Sequence, residues 1–389
     1  MRQTDIAIVG GGLAGSTAAA MLGRAGISAI LIDPHKVYPP DFRCEKLDSH
    51  QIGILQKTGL VEPVLRAATL DNHVWVARLG RLLDKRRPSD QNGIFYDTLV
   101  NTVRNEIPPS VEFIEAKVTE IKTGTERQTI TLSNGEEIVA RLVVLANGLN
   151  IGLRHSLGIE REVTSPCHSI TVGFNLAPSG RDKFEFPALT YFTENSAAQM
   201  SYLTLFPIGS VMRANLMVYR TMEDPWLRRM RRTPEDALHE IMPHLHALTG
   251  DFKVEGDIKI RPADLYITKG HRQAGVVLVG DAFATSCPAA GTGTGKVFTD
   301  VERLCNVYIP AWLTTPGMGL LKISQFYDDP EKQACDEEST REAYNLRSMS
   351  IDTGLSWHLR RWIRFGVRLG MGWVRNLREI MAVRRTAQP

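Results

Sequence analysis

Residues 280–296, GDAFATSCPAAGTGTGK, put an acid, a thiol, several glycines and a Gly-Lys pair into one loop. Three chemistries are open to that set: gripping phosphate, attacking through the cysteine, or flooring a cofactor pocket. A P-loop needs glycine five residues before its last glycine and Ser or Thr after its lysine; Ala290 and Val297 stand there instead. Cys287 has no His-Asp arrangement legible in the linear sequence, and a small buried cysteine is the commoner role. The cofactor-pocket reading survives, and it leaves Lys296 incidental.

A second glycine loop lies near the start. DIAIVG, residues 5–10, leads into Gly10-Gly11-Gly12-Leu13-Ala14-Gly15 and then STAAAMLGRAG, which reads as strand, G-x-G-x-x-G turn and helix. Gly10 permits the tight turn, Gly12 lets a diphosphate approach the backbone, and Gly15 lets helix pack on strand; Leu13 and Ala14 complete the contact at the positive helix end. SAILID then ends at Asp33, placed to accept from ribose hydroxyls. NAD and FAD share that ribose, so this segment alone points to a dinucleotide without choosing one.

The elements that must hold these loops follow from the pattern. QTITLSNGEEIVARLVVLA reads as a hairpin around an Asn-Gly turn, Val276–Val279 as a buried strand, and KVFTDVERLCNVYIPAWL as helical. Strands alternating with helices predict an α/β, Rossmann-type domain.

The order strand, Gly280-Asp281, Pro288-x-x-Gly291-x-Gly293, then a helix carrying Asp300, resembles the flavoprotein monooxygenases of the p-hydroxybenzoate hydroxylase type. The resemblance runs through residues 6–300 in family order and selects FAD. It implies that Asp281 binds the ribityl-diphosphate part and that Pro288, Gly291 and Gly293 lie beside the flavin ring. Gly293, Thr294 and Gly295 would open a helix whose positive end stabilises reduced flavin.

Further matches are Arg43 in DFRCEKLD, before the amphipathic SHQIGILQKTGL, and Gly148 and Arg154 in ANGLNIGLR. Val118 completes the cofactor-binding set. Two departures stand out: Asn147 replaces the family's aspartate and Tyr96 its arginine, which weakens the expectation of NAD(P)H as direct co-substrate and alters local geometry.

Alternating runs between residues 160 and 270 (SITVGFNLA, ALTYFTE, QMSYLTLFPIG, RANLMVYR) predict an inserted antiparallel sheet. The expected organisation is an FAD-binding domain at 1–70, 97–160 and 271–310, a substrate-binding sheet domain at 71–96 and 161–270, and a helical region at 311–389. In relatives such a sheet keeps the site dry for a flavin C4a-(hydro)peroxide, formed from O2, to transfer oxygen to an aromatic or lipophilic small molecule. Tyr191, Tyr202, Arg213 and Tyr219 are the candidate substrate residues, with ordinary sheet packing as the competing role; no catalytic base is assigned. An FAD-dependent dehydrogenase or double-bond reductase is the alternative activity, with a halogenase-like use of Lys46 and a non-redox binding protein behind it. His239, Glu240, His244 and His246 break the H-E-x-x-H spacing at Pro243, so no metal is expected.

Ten arginines face only Glu342, Asp352 and Glu379 from Arg341 onward, yet the whole chain carries a net charge of only +3, too little to imply nucleic acid. Trp357, Trp362, Phe365, Leu369 and Trp373 recur among those arginines at nearly helical intervals. Such a helix fits the surface of an anionic membrane, or packs its apolar face on the FAD domain. Five scattered cysteines without C-x-x-C fit reduced thiols. With no basic region and long apolar run at the amino end, the expected location is the cytoplasm, with peripheral membrane contact left open and the oligomeric state undetermined.

Overall fold

Alternating burial along the first strand explains how the chain begins to fold. In the computed structural model, which describes residues 2–71, 73–86 and 91–386 with side chains as far as Gly372, the strand Arg2–Val9 sends Ile6 and Ile8 into one core and Ala7 and Val9 into another. Its parallel neighbours do the same: Leu31, Val144 and Val277 join the first core, and Ile30, Ile32, Val143 and Leu278 the second. A parallel strand covered on both faces must be apolar throughout, which accounts for the unbroken AILID and LVVL runs. Each of these isoleucines, leucines and valines, nearly fully buried, contributes roughly 1.5–3 kcal/mol.

The chain forms two compact units, one of residues 1–68, 94–168 and 263–342, the other of 69–93, 169–262 and 343–389. In the first, the sheet order is Glu112–Glu115, Ala29–Asp33, Arg2–Val9, Glu137–Leu145, Gln128–Leu132, Val118–Lys122. The strand Glu137–Leu145 divides its length: its first half pairs antiparallel with Gln128–Leu132, and Val143, Val144 and Leu145 pair parallel with Val276–Leu278. The ends of Arg2–Val9, Ala29–Asp33, Glu137–Leu145 and Val276–Leu278 therefore open toward one edge, where an α/β sheet binds ligands.

The other seven-stranded sheet has the order Phe252–Lys269, Glu160–Pro178, Val211–Val218, Met200–Ile208, Ala188–Phe192, Val74–Arg78, Arg81–Arg86. All the runs read as strands between 169 and 220 lie in it, with tight antiparallel register such as Leu203 opposite Leu216. One long helix, Leu355–Thr386, closes the described chain; the side chain of Trp373 lies outside the described residues. No helix among the described residues is long and apolar enough to cross a membrane.

The helical reading of 296–313 needs one correction. The helix Gly293–Arg303 runs into a wide turn at Leu304–Tyr308 and restarts as Ile309–Leu313, because Pro310 has no N–H to continue the ladder.

Candidate functional site

Around the edge opened by the parallel strands, Gly10, Gly12, Leu13, Ala14, Asp33, Arg43, Asn147, Gly148 and Asp281 line one cavity, together with Tyr38, Tyr96 and Val297. Segments far apart in sequence thus meet in one place, and parallel strand order brings the Gly10, Asp33, Asn147 and Asp281 segments there.

The last two glycines of the G-x-G-x-x-G turn, Gly12 and Gly15, differ in what they permit. A Cβ on Gly15 would lie 1.8 Å from the Gly10 carbonyl oxygen, so this glycine serves helix-strand packing. A Cβ on Gly12 would meet nothing nearer than the Tyr38 ring at 4.0 Å, so it would project into free space at the cavity. Gly10 itself sits at φ +103°, where an L side chain is strained.

Asp33 is held before any ligand arrives. Its Oδ2 accepts from Gly11 N at 2.7 Å and its Oδ1 from His35 N at 2.9 Å, while Arg104 Nη2 lies 3.2 Å from Oδ1. Arg104 also donates through Nε to the Gly11 carbonyl at 2.9 Å and through Nη1 to Lys36 O at 3.0 Å. It ties the glycine turn to the acid, and no motif announced it; it is simply the basic residue in the last turn of the helix Tyr96–Asn105.

Arg43 reaches Asp281 Oδ2 at 2.7 Å through Nη1 and Asp41 Oδ2 at 2.6 Å through Nε, and its guanidinium lies 5.6 Å from the centre of the Tyr96 ring. Burial works against its charge, but Tyr96, Asp281 and Asp41 more than offset that and raise its pKa. Burial pushes the Tyr96 phenol upward, so the ring beside the Arg43 guanidinium is neutral.

Arg154, which does not line the cavity, is almost completely buried and donates to Ala282 O at 2.8 Å, to Asn150 O and Tyr266 Oη at 3.3 Å, and to Leu149 O at 3.4 Å. It clamps the Asn147-Gly148 loop to the segment that carries Asp281. Asn147 Nδ2 donates to Asn150 O at 3.1 Å, leaving its buried Oδ1 without a hydrogen-bond partner among the described residues.

Pro288, Gly291, Gly293, Thr294 and Gly295 are not part of the cavity lining, nor are Gly15 and Val118. Val118 opens its strand and packs on the second core. Gly291 takes φ +72°, and its carbonyl accepts from Gln51 Nε2 at 2.6 Å. Gln51 belongs to an Asp48-x-x-Gln51 capping box, so the same residue caps one helix and pins the loop before another. Cys287 is completely buried, as expected of a packing thiol.

The expectation that Lys296 is incidental is wrong. Its ammonium is buried, 2.8 Å from Asp336 Oδ1 and 3.4 Å from Asp300 Oδ2, and Lys332 Nζ lies 2.8 Å from Asp300 Oδ1 and 2.9 Å from Asp336 Oδ2. Asp300 Oδ2 also accepts from Gly280 N at 2.8 Å, which ties this quartet to the residue before Asp281. The i,i+4 pairs Lys296/Asp300 and Lys332/Asp336 were the available signal.

Among the candidate substrate residues, Tyr191 is fully buried, donates to Glu194 Oε1 at 2.6 Å and accepts from Gly80 N at 3.0 Å. Arg213 donates to Asn175 Oδ1 at 3.1 Å; Tyr202 meets Phe192 edge to face; Tyr219 is buried at the end of the strand Val211–Val218. The Glu194 carboxylate also pairs with His244 Nδ1 at 2.5 Å, so this histidine of the 239–246 group has a structural partner.

The site fits a dinucleotide flavin on two counts: the space in front of Gly12 and the orphaned Asn147 acceptor both lie at the cavity. Comparison with known proteins agrees. A 3-amino-4-hydroxybenzoate 2-monooxygenase of Streptomyces platensis, PtnB3, is 26% identical over 245 residues, 60% of this chain and 61% of that protein. The chain thus spans less than two thirds of that relative. The 3-demethoxyubiquinol 3-hydroxylase of Escherichia coli (strain K12) is 23% identical over 364 residues, 84% of this chain and 87% of the relative. Among solved structures, p-nitrophenol 4-monooxygenase PnpA from Pseudomonas putida DLL-E4 superposes with a TM-score of 0.76 at 17% identity, covering 99% of this chain and 98% of that one. The family model described as "FAD binding domain" matches residues 3–309, most of the sequence, and the chain belongs to that FAD-binding family.

Proposed function

We propose that this chain is an FAD-dependent monooxygenase that inserts one oxygen atom of O2 into an aromatic or other electron-rich small molecule, with NAD(P)H as electron donor. The observation that carries this reading is the single cavity shared by the Gly10–Ala14 turn, Asp33, Arg43, Asn147-Gly148 and Asp281. Bound FAD would supply the redox and oxygen-activating chemistry.

The residues divide the work by chemistry. The Gly10–Ala14 backbone and the guanidinium of Arg43 suit a diphosphate, and Asp33 suits ribose hydroxyls. Asp281, oriented by Arg43, suits the ribityl-diphosphate end, and Asn147 offers an acceptor with Gly148 beside it. The helix Gly293–Arg303, entered through Pro288, Gly291, Gly293, Thr294 and Gly295, has no side-chain cap, so its first N–H groups remain available to an anion. The substrate surface belongs to the sheet of 71–96 and 161–270, where Tyr202, Arg213 and Tyr219 remain the candidates and Tyr191 is committed to Glu194. The names of two relatives, for 3-amino-4-hydroxybenzoate and 3-demethoxyubiquinol, support an aromatic acceptor.

The visible spectrum of the purified protein is the first test, followed by anaerobic reduction and mixing with labelled O2 in the presence of substituted phenols. Label in an organic product supports the proposal. Reoxidation that yields only hydrogen peroxide across the panel favours a dehydrogenase, and a colourless protein that takes up no added FAD ends the reading.

A further inference from the structure

The helix Leu355–Thr386 faces the wrong way for a surface helix of a soluble protein. Toward its own unit it presents Arg361, Phe365, Arg368 and Gly372, one stripe at helical spacing. Arg361 is 8% exposed and donates to Asp352 O at 2.7 Å and Met349 O at 3.3 Å. The Arg368 guanidinium lies 4.4 Å from the Phe192 ring centre, and Phe365 lies 5.4 Å from that of Arg78. At Gly372 a Cβ would come within 1.9 Å of Leu83 O, so the helix touches the strand Arg81–Arg86 backbone to backbone.

The other stripe is apolar and open. Leu355, Leu359, Trp362, Ile363 and Val367 are exposed by 89, 61, 46, 55 and 53%. Their spacing of four, three, one and four residues keeps them on one side of the helix. Arg360 and Arg364 flank the stripe, both exposed, and residues 355–372 include no acidic side chain.

We propose that this face docks the protein on an anionic lipid bilayer, the helix lying in the interface plane. The apolar stripe enters the acyl boundary while Trp362 and the flanking arginines sit among the headgroups. Charge decides between a bilayer and a second copy of the chain. Two such faces brought together would oppose arginine to arginine with no acid to compensate, whereas anionic headgroups neutralise them. The inference is independent of the flavin chemistry.

Flotation of the full-length protein with vesicles tests it. The protein floats with phosphatidylcholine vesicles containing phosphatidylglycerol, less with phosphatidylcholine alone, and less again as salt rises. Replacing both Leu359→Asp and Ile363→Asp lowers the bound fraction about tenfold or more. Arg360→Glu with Arg364→Glu removes the preference for phosphatidylglycerol. Because all four side chains are exposed, melting temperature and flavin content serve as folding controls and stay at wild-type values. Failure to float with either lipid overturns the proposal, as does flotation unchanged by the aspartates. A concentration-dependent dimer that those aspartates dissolve, without vesicle binding, overturns it in favour of self-association.

Discussion

Arg43 Nη1 lies 2.7 Å from Asp281 Oδ2, so one charge-assisted hydrogen bond joins two loops 238 residues apart in sequence. Both side chains are partly exposed, at 23% and 31%, so the pair is a weak stabiliser of the fold and a ready partner for a charged ligand. Asp281→Ala is expected to weaken FAD binding roughly 10–100-fold, the range of a lost hydrogen bond to a charged group. Asp281→Asn, which still accepts, loses less. Titration of the apoprotein with FAD gives both numbers, and wild-type affinity in Asp281→Ala would remove this carboxylate from the cofactor site.

Gly12 and Gly15 separate folding from binding within one motif. Gly15→Ala drives a methyl into the Gly10 carbonyl oxygen, at 1.8 Å, and backbone cannot swing aside as a side chain can. It is expected to unfold or markedly destabilise the first unit, by about 3 kcal/mol or more. Gly12→Ala puts its methyl into open space at the cavity, so melting without FAD stays near wild type while flavin content falls. Equal flavin content in Gly12→Ala and wild type would show that the space is not used by the cofactor.

Residue types and spacing foretold what depends on strand order and backbone conformation. The G-x-G-x-x-G turn, Asp33, Asn147-Gly148 and Asp281 each follow a strand whose apolar run is legible, and parallel pairing brings those strand ends together. Three long-range contacts were not legible, because each joins residues far apart in sequence: Arg104 with Gly11, Gln51 with Gly291, Lys332 with Asp300. The helix Pro330–Ile351 reads as polar all round, the usual sign of a solvated helix, yet Lys332 within it is 1% exposed. The tail was ambiguous for another reason: amphipathicity identifies two faces without saying which one the protein covers.

Arg104 supplies a prediction the motif does not contain. Its side chain is 7% exposed, and truncation to methionine leaves the Gly11 carbonyl and one side of Asp33 without their donor. Arg104→Met is expected to cost about 3 kcal/mol, since removing one member of a buried pair strands the other. Arg104→Lys recovers the charge but not the fork that holds Gly11 O and Asp33 together, so it rescues only part. Thermal melting of the three proteins checks the order wild type, lysine, methionine; identical melting would deny Arg104 a role in holding the turn.

The buried quartet predicts how stability responds to acid. Burial alone would raise the Asp336 carboxyl, but the ammonium groups of Lys296 and Lys332 hold it below the usual carboxylate range. Its contribution is therefore complete above the unfolded-state value of about 3.9 and is lost as pH falls through the lower folded value. With its side chain 25% exposed, Asp336→Asn should cost about 2 kcal/mol near neutrality, less than a fully buried pair would. The gap in melting temperature between wild type and Asp336→Asn should stay level from about pH 7 to 5 and narrow below about pH 4, where the wild-type carboxylate becomes protonated. Lys332→Met, which takes from Asp300, 1% exposed, its nearer ammonium and leaves it only Lys296 at 3.4 Å, should cost more, about 3 kcal/mol. Because Asp300 also holds Gly280 N, flavin affinity should fall with it. A gap that widens on acidification would contradict the depressed carboxyl, and Lys332→Met melting like wild type would contradict the quartet itself.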